Sequence, residues 1–248
     1  MKNSGKVILV LLLTLCLAAC AGGNKHRLHH TVLDKPDDVL PKTLAILPSV
    51  VTVNELSAGG IAEEVPAWSE QAKKNLQSQL KAHFNNDSGI LKVVDLPELD
   101  EQERKVLDQY MALYEVVGGS AYEMSRSNEE AWSHKSNHFD YSLGDGLRFL
   151  KEKSGADAGI IFTAVDFVPT DERKAMAVVA AALGIYMYMG NPFIFAGIVD
   201  FDTGNILWLN FDIKDGYSDL RDEKDVKFML RDLFKLYPGI EKYKVAGK

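Results

Sequence analysis

The stretch Gly159-Ile160-Ile161-Phe162-Thr163-Ala164-Val165-Asp166-Phe167-Val168 decides how the rest of this chain is read. Nine residues rich in β-branched and aromatic side chains, with Gly159 before them and Pro169 after, are the clearest strand in the sequence. Upstream, Leu44-Ala45-Ile46-Leu47-Pro48 is an apolar run of the buried type, and residues 50–53 extend it beyond the irregularity that Pro48 imposes. Downstream, residues 195–201 and 206–213 are two more strands. Asp202-Thr203-Gly204-Asn205 joins them, its glycine supplying the positive φ that a tight hairpin needs.

Helical periodicity fills the intervals. Trp68, Ala72, Leu76, Leu80 and Phe84 recur every four residues and end near Asn85-Asn86 and Gly89. Residues 90–96 form a strand stopped by Pro97. Asp100 and Glu103 have capping-box spacing ahead of Val106, Leu107, Tyr110, Met111 and Tyr114. Gly118-Gly119 is expected to break that helix, and 120–140 is polar and weakly patterned. Leu143, Leu147 and Leu150 (with Phe149) mark a helix closed by Gly155. Val226, Met229, Leu230, Leu233 and Phe234 mark the last one, ended by Pro238-Gly239. The order predicts an α/β fold: a single domain, a mixed β-sheet flanked by helices, with a C-terminal β-hairpin and helix.

Composition narrows the function. The 248 residues carry 28 Lys and Arg against 35 Asp and Glu, a net charge of −7. That argues against a nucleic-acid partner gripped through its phosphates. Two cysteines cannot build a disulfide scaffold or a closed zinc site alone.

The N-terminus is unlike the rest. Lys2 and Lys6 precede thirteen uncharged residues, 7–19. As a helix these cover about 20 Å, short of the ~30 Å hydrocarbon core, so they fit the apolar region of a signal peptide better than a permanent span. The segment ends Leu17-Ala18-Ala19-Cys20.

Leu17-Ala18-Ala19-Cys20 resembles the lipobox of bacterial lipoproteins. The resemblance implies cleavage between Ala19 and Cys20 and a covalent lipid, palmitate included, on the Cys20 thiol. Several acyl chains give durable anchoring where one is marginal. Ala21, where an aspartate would favour the inner membrane, implies the outer membrane's periplasmic face in a Gram-negative envelope. Residues 1–19 are then signal peptide, 20–41 lipidated N-terminus and flexible tether, 42–240 the periplasmic domain and 241–248 a tail. The alternative is an ordinary cleaved signal peptide with Cys20 incidental. Losing residues 1–19 removes two lysines and no acid, taking the charge from −7 to −9.

Lipobox, tether, the strand at 44–48, a helix and the strand at 158–168 together are similar to CsgG-like and TolB-N-terminal-like periplasmic families. Val199-Asp200-Phe201-Asp202-Thr203-Gly204 followed by Trp208 adds to the likeness. It implies work in envelope assembly, secretion or regulation of envelope enzymes, through contacts with envelope proteins or self-association, without a cofactor.

Residues 175–199 contain no charge. Up to Met189 the spacing is helical, with Met176, Val179, Leu183 and Tyr186 on one side and Met187 beside them. Ala177, Ala181 and Gly184 form a stripe of small residues, and Gly190-Asn191-Pro192 ends the run. Fifteen residues are short for a spanning helix. The run does not alternate as a pore-lining hairpin of the curli channel type must. A helix packed on its own sheet and an exposed apolar face that docks a partner remain open, and the second makes these five side chains the candidate interaction surface.

Catalytic motifs are scarce. His134 and His138 are four apart with Glu129, Glu130 and Asp140 near, but Lys135-Ser136-Asn137 between them supplies no general base. His26, His29 and His30 read as solvated tether residues. Asp200-Phe201-Asp202-Thr203-Gly204-Asn205 starts like a calcium loop, yet Gly204 stands at a ligand position and Phe211 where the closing glutamate belongs, so a turn is expected. No nucleophile elbow or phosphate loop is present. The expectation is a non-enzymatic binding protein; the alternative is a periplasmic hydrolase or metal-binding protein using His134, His138 and nearby acids.

Overall fold

Strand β6 (Ala158–Pro169) organises the sheet, and both of its edges are used. Antiparallel β7 (Phe193–Asp200) pairs along one edge, from Ala158 to Val165. The other edge is shared by two collinear parallel strands, β2 (Thr43–Ile46) and β3 (Val50–Leu56). The computed structural model describes residues 27–88, 92–126, 135, 138–214 and 218–238. The join between β2 and β3 is the irregularity expected at Pro48. Leu47 N–H still donates to the Ile160 carbonyl at 2.9 Å, and the Phe162 N–H finds the Ser49 hydroxyl at 3.2 Å. A side-chain oxygen thus accepts the ladder bond that the bulged backbone leaves unmade.

Pairing continues outward as β1 (Arg27–Leu28), β8 (Ile206–Ile213), β7, β6, β2 and β5 (Lys92–Asp95), with β4 (Ala62–Glu64) on β3. The sheet is open and mixed. Alternate residues of β6 face opposite layers, which explains an apolar run without polar alternation. Ile160, Phe162 and Ala164 join one core with α3 (Pro66–Lys81) and α7 (Glu223–Leu233). Ile161 joins the other with α4 (Glu101–Arg126) and α5 (Arg148–Ser154).

Local chemistry sets the element ends. The capping box is formed: Asp100 N–H donates to Glu103 Oε2 and Glu103 N–H to Asp100 Oδ1, both at 2.9 Å. Gly155 closes α5 at φ +67°. Gly204 turns the β7–β8 hairpin at φ +69°, where any Cβ would strike the Gly144 backbone. In the calcium-like sequence, Asp200 Oδ1 instead accepts from the N–H groups of Asp202 and Thr203, a turn-forming role.

Two expectations fail. Gly118-Gly119 does not break α4, which runs 26 residues. Tyr114, Ala121 and Tyr122 bury the helix on the sheet, and a Cβ at Gly118 would press the Tyr114 ring at 3.2 Å. Tertiary burial outweighs the ~1 kcal/mol that each glycine takes from helix propensity. The tether is also shorter than expected. From Arg27 on it belongs to the body, as β1, α1 (His30–Asp34) and α2 (Pro36–Val39), with Val32 in the core. His29 is correspondingly buried, not solvated: its N–H donates to the Leu207 carbonyl and Nδ1 lies 2.8 Å from Thr31 Oγ1.

Candidate functional site

Between β6 and β7, an antiparallel pair that a few residues could connect, the chain inserts 23 residues. Thr170 opens the insertion, its hydroxyl accepting from Arg173 N–H at 3.3 Å, and α6 (Asp171–Ala182) follows. The sequence pattern extends this helix to Met189, but it stops at Ala182. Gly184 takes φ +73°, Gly184 N–H donates to Ala181 O and Ile185 N–H to Ala180 O. This pair of bonds is a Schellman motif, which satisfies the last carbonyls and turns the chain away. Residues 185–192 then return as irregular backbone. Gly190, at φ +90°, lies so close to Phe167 O that a Cβ there would stand 2.0 Å away.

The insertion does not pack on the sheet as a core helix. Met176 is 50% exposed, Val179 63%, Leu183 72% and Tyr186 85%, while Met187 is partly covered. Val178, Ile185 and Tyr188, which helical spacing did not select, are exposed as well. Seven of the fifteen large apolar side chains exposed among the described residues therefore fall in 13 consecutive positions. That concentration distinguishes an interaction patch from the scattered apolar exposure of any surface. Among the described residues no helix is long and apolar enough to cross a membrane.

One buried residue holds the arm in place. Arg173, 6% exposed, donates from Nε to Tyr188 O at 2.9 Å and from Nη1 to Ser57 O at 3.1 Å. A single guanidinium thus ties the first turn of α6 to the returning backbone of the arm and to the β3–β4 turn. Its rigid fork suits this cross-bracing, where a lysine would offer one point charge. Nothing in the sequence marks Arg173, because its partners are backbone carbonyls, which every residue carries.

The remaining candidates divide. Ala19, Cys20, His26 and His134 lie outside the described residues. His138 is exposed, with Nε2 4.0 Å from Asp140 Oδ2, and its ring lies tilted against His30 at 4.2 Å; His30 in turn lies tilted against His29 at 4.5 Å. Burial, then the neighbouring His30, pushes the His29 pKa down to about 4, so this imidazole is neutral at pH 7. Among the described residues no three His, Cys, Asp or Glu side chains converge on a point where a metal could sit. Asp166, buried beneath the sheet end, accepts from Leu220 N–H at 2.9 Å; burial still raises its pKa to about 6.

No family model and no curated protein matches the chain. Solved structures similar to it include the PelC dodecamer from Paraburkholderia phytofirmans (10% identity, 79% of this chain and 87% of that one, TM-score 0.31). Another is lipoprotein GNA1162 from Neisseria meningitidis (13% identity, 71% and 83%, TM-score 0.26). A third is the LpoB C-terminal domain from Salmonella enterica (14% identity, 76% and 96%, TM-score 0.24). Likeness at this level leaves function to be argued from the chain's own residues.

Proposed function

We propose that this chain is a lipoprotein anchored through Cys20 to the periplasmic face of the outer membrane. It acts by binding another envelope protein, in assembly, secretion or regulation, and not by catalysis. The observation that carries the reading is the braced arm of residues 175–189, which presents apolar side chains to solvent from a fixed base. Ordering before contact lowers the entropic cost of association. An uncharged surface selects an apolar groove on the partner. The chain's net charge of −7, which becomes −9 without residues 1–19, disfavours laying the arm on an anionic lipid surface, which supports a protein over a bilayer as its occupant.

Two experiments test the two halves. Cys20→Ala should release the protein from membranes and abolish lipid labelling; retention without label would remove the anchor. A photo-crosslinking amino acid at position 186 should yield one discrete protein adduct in intact cells, lost in Leu183→Asp. Adducts to lipid alone, or an adduct indifferent to Leu183→Asp, would sink the docking half while leaving the anchor standing.

A further inference from the structure

On the opposite layer from α7, helix α4 and the β7–β8 hairpin line a chamber of about 850 Å³ that is open to solvent on one side. Its walls are aromatic. Phe193 and Phe195 come from β7, Phe211 from β8, and Tyr114 and Tyr122 from α4. The rings contact one another edge-on or tilted: Tyr122 with Phe211 at 4.7 Å, Tyr122 with Phe195 at 5.8 Å, and Phe193 with Phe211 at 6.0 Å. Sequence spacing builds this wall. Tyr114, Gly118 and Tyr122 are four apart on α4, and Gly118 lets the helix lie close enough for its tyrosines to reach β7.

The adjacent stripe of α4 is Glu115, Gly119 and Glu123, and all three line the chamber. Both carboxylates are exposed, and among the described residues neither pairs with a cation and no Lys, Arg or His lines the space. Gly119 stands between them, with nothing among the described residues within 4 Å of where its Cβ would be. The helix thus carries a residue of low helix propensity at a position that lines the chamber.

We propose that this chamber is a binding site for a small lipophilic cation: an apolar or aromatic body carrying one onium or protonated amine group. Size and apolar walls suit a drug-sized molecule. The aromatic rings of Tyr114, Phe193 and Phe195 and two rim carboxylates with no ion-pair partner among the described residues favour positive charge over neutral or negative. Gly119 supplies the vacancy into which the ligand body fits. The site shares no residue with the arm of residues 175–189, so it stands independently of the function proposed above.

The test is titration of the full chain in nonionic detergent with tetraphenylphosphonium and with tetraphenylborate, an anion of nearly the same shape. Saturable binding of the phosphonium, one per chain, is expected, with the borate at least about ten-fold weaker. Gly119→Met projects a side chain into the chamber and replaces glycine by a better helix former. It should weaken phosphonium binding markedly with the melting temperature unchanged or raised. Changing Glu115→Gln and Glu123→Gln together should weaken the phosphonium by about ten-fold and strengthen the borate, narrowing the gap between the two ions. Equal binding of the two ions, or undiminished phosphonium binding to a folded Gly119→Met chain, would overturn the proposal.

Discussion

Helix α4 runs straight through Gly118 and Gly119, whereas α6 stops two residues short of Gly184. The residue type is the same and the outcomes are opposite. On α4, Leu107, Tyr114, Ala121 and Tyr122 are all buried, so unwinding at the glycines would strip that face from the sheet. On α6 only Arg173 is buried, and nothing opposes the left-handed turn that Gly184 prefers. Helix continuity here is decided by what lies underneath, and local propensity acts only where nothing does.

The widest separation between the two helices should appear in their leucines. Leu107→Ala, in the core beneath α4, should lower stability by roughly 2–5 kcal/mol in denaturant unfolding. Leu183→Ala on α6 should stay within about 0.5 kcal/mol. Comparable losses would mean that α6 is buried after all, and the contrast would collapse.

Next in size is the brace itself. Arg173→Ala deprives the carbonyls of Tyr188 and Ser57 of their donor, at about 1–3 kcal/mol. Because α6 supports no core, the effect should be local. Hydrogen exchange and protease cleavage should rise within 183–189 while the global unfolding midpoint moves little. A global loss with an unchanged arm would show that Arg173 serves the β3–β4 turn and not the arm.

Acid should separate body from arm more gently. His29, with its pKa lowered to about 4, contributes stability that is complete above its unfolded value near 6.5 and is lost as pH falls through 4. Asp166, raised to about 6, does the reverse. Its contribution is complete below the unfolded value near 3.8 and disappears as pH rises through 6. The two offset each other between pH 4 and 6. His29→Gln should therefore flatten the acid loss, and Asp166→Asn the loss near neutrality, each seen as a shift of a few degrees in the melting profile. Residues 175–189 contain no Asp, Glu, His, Lys or Arg, so arm cleavage rates should not follow either titration.

This contrast also explains what the sequence could and could not convey. β6, the β7–β8 hairpin and the capping box at Asp100 are legible because their signals are local: a β-branched run, a glycine turn, a three-residue spacing. The arm is half legible. Its uncharged run and the side chains Met176, Val179, Leu183 and Tyr186 stand out, yet whether they face a core or water depends on the rest of the sheet. Arg173 and the chamber are invisible beforehand, since one acts through backbone carbonyls and the other needs α4 to continue where its glycines argue for a stop. The structured stretch after Arg27 was hidden for a related reason: β1 is two residues long and exists through its pairing with β8.

The smallest effects carry the sharpest sign. Gly184→Ala forces a Cβ into φ +73° and should destabilise the end of α6 by ~1 kcal/mol. Gly119→Ala meets nothing within 4 Å among the described residues and should stabilise α4 by up to ~1 kcal/mol. Opposite signs for one substitution follow only if the two glycines are held for different reasons, one for backbone conformation and one for empty space. The measurement is paired denaturant unfolding with far-ultraviolet circular dichroism. A gain at position 184 with added helicity would mean that α6 can extend toward residue 189, so that its length is set by Gly184 alone. A loss at position 119 would mean that α4 is strained at that point, and the vacancy beside it would then be a consequence of packing and not a place kept open.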